Sequence, residues 1–164
     1  MTYKLTTGWP QRLSDGAFVN PETNWEYLAW LAEGNTPAPM DLSTVQNSQI
    51  VTVNAACSAA ITGGFHSSAL GSVHLYPSQL TDQANLAANV LSSIYPGLPS
   101  NWTTPQICQD SGGVWGYINH TAAQIQQAGL DGKSAVLAAL VKRKALVDQI
   151  SAATTITAVQ AVVW

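Results

Sequence analysis

The groups in this chain that could carry chemistry are three histidines, two cysteines and nine carboxylates, and their spacing favours little catalysis. His66, His74 and His120 show neither the i, i+4 helical spacing nor the neighbouring cysteine pair of a zinc site. His66 and His74 are expected to face each other across a hairpin, where a ring contact or hydrogen bonds explain them as well as a metal would. A His-x-His element is missing as well. The carboxylates are too sparse for a convincing acid/base pair, and Glu26 and Glu33 flank an amphipathic helix in the manner of solvated groups. Ser, His and Asp occur without a G-x-S-x-G nucleophile elbow. Gly63-Gly64 and Gly112-Gly113 belong to no phosphate-cradling motif and read as turn glycines. The expectation is therefore no catalytic residues, no metal ligands, no cofactor and no enzymatic activity.

The elements that must position these groups are built from an unusually neutral chain. Charged residues make up 9% of the sequence, against roughly 25% for an average soluble domain. Between Leu42 and Val141 the formal charges are Asp82, Asp110, Asp131 and Lys133. Such a surface repels other chains weakly and tolerates close packing in an assembly. A net charge of −3 leaves no electrostatic footprint for nucleic acid, and Lys142-Arg143-Lys144 reads as a solvated helix face. No apolar run approaches the ~18 residues needed to cross a bilayer, so membrane insertion is not expected. The opening MTYKLTTGWPQR has no continuous apolar stretch, so no secretory signal is expected either. Without one, the acceptor patterns at Asn101-Trp102-Thr103 and Asn119-His120-Thr121 read as turn and helix-start residues. Cys57 and Cys108 are expected to be small buried hydrophobes rather than a bridge.

The pattern predicts an α+β fold, with short β-hairpins packed by several helices and a long C-terminal helix. Residues 1–40 form an extended N-terminal segment with a short aromatic helix and a Pro-rich linker, and residues 41–164 form a compact α+β domain. Ser14-Asp15-Gly16 is a turn. The helix at 25–33 places Trp25, Leu28 and Ala32 on one face, with Tyr27, Trp30 and Leu31 broadening it. It is too short to stand alone in water, so either this chain or a partner covers it. Trp25, Tyr27, Leu28, Trp30 and Leu31 are the candidate partner-binding residues. Gly34 or Asn35 ends this helix, and Thr36–Pro39 is stiff and extended.

Further on, Ser43 or Asn47 is expected to cap a helix running to about Thr62 along Ile50, Val53, Cys57, Ala60 and Ile61. FHSSA and SVHLY then form a hairpin turning at Leu70-Gly71. Thr81 caps a helix to about Tyr95 that buries Leu86, Val90, Leu91 and Ile94. A second hairpin joins 106–110 to 114–119. Residues 121–152 are helical, locally weakened by Gly129 and Gly132, with a stripe of Val136, Leu140, Val147 and Ile150. Thr154 or Thr155 caps a last turn carrying Val159, Val162 and Trp164. Trp102, Trp115 and Tyr117 near the second hairpin are either hairpin core or, with neighbouring amides, a sugar-binding surface.

Two stretches carry a resemblance. QRLSDGAFVNPETNW followed by EYLAWLAEGNTPAP (residues 11–39) resembles a segment common in bacteriophage tail-fibre assembly proteins. YPSQLTDQANLAANVL, the tryptophan-bearing hairpin and the ending LVDQISAATTITAVQAVVW resemble a domain of unknown function found in phage tail-fibre and prophage tail genes. The resemblance implies a fibre-assembly chaperone or a structural protein of the tail tip or baseplate. Its partner would be a trimeric tail-fibre or baseplate protein, and a homo-oligomer stays open. The implied location is the host cytoplasm during assembly and then the virion tail. The alternative is a module at the fibre tip that binds host-surface glycan or lipopolysaccharide.

Overall fold

Alternating and helical patterns resolve into eleven elements in the computed structural model, which describes residues 1–164. In order they are β1 (Tyr3–Lys4), β2 (Gln11–Arg12), α1 (Trp25–Ala32), α2 (Leu42–Thr62), β3 (Phe65–Ser67), β4 (His74–Tyr76), α3 (Leu80–Ser93), β5 (Thr103–Gln109), β6 (Trp115–Thr121), α4 (Ala122–Ala152) and α5 (Ile156–Gln160). The fold is α+β, with two antiparallel sheets of two and four strands. Contacts divide the chain into Met1–Val53 with Leu146–Trp164, and Asn54–Ala145. The expected boundary at residue 40 lies within the first of these units, and the division falls inside α2 and α4.

In the first unit, β1 pairs with β2, and a turn at Ser14–Gly16, where Gly16 supplies φ 74°, folds the chain back so that Phe18 bridges Gln11. The proline linker lies along the other edge of β1. Leu5 N–H donates to Ala38 O and Ala38 N–H donates to Tyr3 O, both at 2.8 Å. Fixed φ angles at Pro37 and Pro39 hold this stretch extended, and the two bonds use the backbone groups of Ala38 between them. α1 begins because Asn24 Oδ1 accepts from Tyr27 N–H at 2.8 Å. It ends at Gly34, φ 84°, whose N–H donates to Leu31 O. A second cluster in this unit joins Val45, Val53, Ile150 and Val159. Gln46 Nε2 donates to Ile150 O and Ala153 O, satisfying carbonyls that the end of α4 leaves open. Thr155 Oγ1 caps α5 by accepting from Ala158 N–H.

In the second unit, the sheet runs β3-β4-β5-β6. Phe65, Tyr76 and Cys108 point to one face and join Leu86 of α3 and Ile125 and Ala128 of α4 in the core. The outer positions of the second hairpin pair Ile107 with Tyr117 and Gln109 with Trp115. α4 passes unbroken through both glycines, and packing explains why. A Cβ on Gly129 would sit 2.6 Å from Val90 Cγ2, and one on Gly132 would sit 2.9 Å from Phe65 Cζ. The propensity cost, about 1 kcal/mol each, admits side chains that seat directly on the helix backbone.

Several expectations are corrected at this level. α2 begins at Leu42, so Ser43 and Asn47 lie inside it and cap nothing. α3 is capped at Gln79 rather than Thr81, because Asp82 reaches back to the Gln79 N–H in a capping box. Leu91 and Ile94 are exposed rather than buried. His66 stands opposite Leu75, and His74 opposite Ser67, so the two imidazoles do not face each other.

Candidate functional site

The aromatic helix α1 has two sides with different fates. Tyr27 is buried and meets Tyr3 edge-on with ring centroids 4.9 Å apart. Trp30 lies 5.0 Å from Tyr3 and stacks near Tyr27, and Leu31 packs against the same cluster. Arg12 links the helix to the hairpin by donating from Nη1 to Glu26 Oε2 at 2.6 Å. Its guanidinium also grips Asp15, whose carboxyl is held below the usual carboxylate range by that hydrogen bond. Trp25, 74% exposed, and Leu28, one turn later, face away from the cluster. Of the five candidate residues, Tyr27, Trp30 and Leu31 are thus engaged within the chain, and Trp25 and Leu28 are free to touch something else. Trp9, Leu13 and Phe18 in the same unit are also exposed. Trp9 and Phe18 line one depression with Gln11 and Thr44. No periodicity marks these three in the sequence, because they lie in bends, turns and an isolated bridge.

The second hairpin separates its aromatics. Trp102 packs against the core cluster of its unit, whereas Trp115 and Tyr117 stand on the outer side of β6, Tyr117 being 76% exposed. Alternation puts Asn119 on their side.

Groups capable of reaction chemistry occur in two places. In the core, Tyr76 OH donates to His120 Nε2 at 2.7 Å, while His120 Nδ1–H donates to Ile118 O at 2.8 Å. This pattern is the one a neutral His120 makes, and burial favours the neutral ring. Burial lowers its pKa, with His74 adding to the effect, and burial raises those of Tyr76 and Cys108. A buried thiol of raised pKa stays protonated and unreactive. Elsewhere, Ser67, His66 and Asp131 line a second depression, but Ser67 Oγ–H donates to the Asp131 carboxylate at 2.6 Å rather than to an imidazole. No group of three His, Cys, Asp or Glu side chains is placed to hold a metal. No helix is long and apolar enough to cross a membrane.

The buried imidazole has a pH consequence. Its folded pKa lies below the ordinary 6.5, so the unfolded chain takes the proton first as pH falls. The stability that His120 contributes is therefore complete above pH 6.5 and declines as pH drops from there towards the folded value. Urea midpoints measured from pH 8 to pH 5 are expected to fall below pH 6.5, and a His120→Gln chain should show a flatter profile. An unchanged profile in that variant would assign the loss to other groups.

A family model described as "Domain of unknown function (DUF4376)" matches residues 44–163. No curated protein and no solved structure matches the chain. With most of its length matched, from the start of α2 through α5, the chain belongs to the DUF4376 family.

Proposed function

We propose that this protein is a bacteriophage tail-fibre-associated assembly chaperone or a structural protein of the virion tail or baseplate, acting by protein–protein binding. The observation that carries the reading is the outward side of α1. Trp25 and Leu28 remain exposed although Tyr27, Trp30 and Leu31 on the same short helix are engaged. Burying two such side chains at an interface is worth about 3–6 kcal/mol. The low charge of the chain lets a partner approach without strong repulsion. The resemblance of residues 11–39 to tail-fibre assembly proteins supports a trimeric fibre or baseplate subunit as the partner. On this reading the protein works in the host cytoplasm and then remains on, or leaves, the virion tail.

The test is co-expression with the long fibre gene of the same phage or prophage. The fibre should become soluble and trimeric with the parent protein. A Trp25→Ser, Leu28→Ser chain should lose at least tenfold in fibre yield while keeping its own circular dichroism. A fibre that folds equally well without this protein removes the chaperone role, and absence from purified particles removes the structural one.

A further inference from the structure

A trough in the second unit has no occupant within the chain. It encloses about 850 Å³ between α3 and α4, and Phe65, Leu86 and Val90 are among its lining residues. Large aliphatic side chains along it stay open to solvent, including Leu91 at 63%, Leu130 at 59% and Leu137 at 56%. The polar lining is sparse. Gln126 is committed to Ser93 Oγ and Gln83 to Ser78 O. Lys133 is the one charged group on the lining, and no carboxylate lies there with it.

We infer that this trough binds a long-chain carboxylate, its alkyl chain along the apolar wall and its headgroup paired with Lys133. The volume falls within the roughly 300–1,000 Å³ of small-molecule sites, which are apolar with a few polar groups that orient the ligand. Charge complementarity decides among occupants. A second copy docking trough to trough would bring another Lys133 and no carboxylate from its own trough, so neither ammonium would gain a partner there. A neutral apolar ligand would leave the exposed Lys133 ammonium in water and gain nothing from it. An acid with an alkyl tail satisfies both features. The inference stands independently of partner docking through α1.

Calorimetric titration of the full chain with dodecanoate and with dodecylamine, both below their micellar concentrations, tests it. Dodecanoate is expected to bind, and dodecylamine to bind several-fold more weakly. Lys133→Met should weaken dodecanoate about three- to fivefold, the scale of an exposed ion pair, and erase the preference over the amine. Ala87→Trp, at an exposed lining position, should fill the trough and abolish binding of both. No binding of dodecanoate, equal binding of acid and amine, or full binding by the Ala87→Trp chain would overturn the assignment. A concentration-dependent dimer that Ala87→Trp dissociates would give the trough to a second copy and overturn it as well.

Discussion

A Tyr76→Ala chain is expected to lose about 3–5 kcal/mol of stability, the range for deleting a large buried aromatic side chain. Tyr76 is fully buried, stacks on Phe65 with centroids 5.3 Å apart, and holds the only hydroxyl bonded to His120 Nε2. The substitution removes the ring packing and strands a buried acceptor together. Tyr76→Phe separates the two effects. It keeps the ring and leaves His120 unsatisfied, so it should cost about 1–3 kcal/mol. Urea unfolding extrapolated to water measures both. A Phe variant as damaged as the Ala variant would mean that the hydroxyl, rather than the ring, dominates. A harmless Ala variant would mean that this core closes over the vacancy.

Gly64→Val is expected to cost about 2–4 kcal/mol, from left-handed strain together with overpacking. Gly64 links α2 to β3 at φ 101°, where side chains are disfavoured, and a Cβ there would lie 2.8 Å from Tyr76 O and 3.0 Å from Leu75 Cδ1. The first contact is backbone and has no rotamer through which to yield. Gly97, at φ 83° with nothing within 4 Å, isolates the strain alone, and Gly97→Ala should cost about 1 kcal/mol. Equal losses at the two positions would show that the contact with β4 is unimportant.

Helix existence was legible in the sequence because it rests on local signals. Asn24, Thr155 and Gly34 mark ends by side-chain or backbone geometry within a few residues, and both hairpin turns contain their glycines. The covered side of each helix was harder to read. α1 carries apolar residues on most of its circumference, and Tyr3, more than twenty positions earlier, selects Tyr27 and Trp30 for burial. In α4 the stripe of large residues ends correctly on the buried Ile150, but Leu140 is exposed, and Ile125, Ala128 and Ala139 are buried outside the stripe. Gly129 and Gly132 let Val90 and Phe65 press close to the helix backbone. Leu91 and Ile94 follow the helical period and still face water. Periodicity tells which residues align and leaves open whether anything arrives to cover them.

At the amino end, a short stretch has influence beyond its size. Tyr3 is the ring on which Tyr27 and Trp30 rest, and its carbonyl fastens the proline segment through Ala38. Trimming the first five residues would bare the sheltered half of α1 and unfasten that segment in a single cut. A protease acting there would turn a helix that offers two apolar side chains into one that offers five.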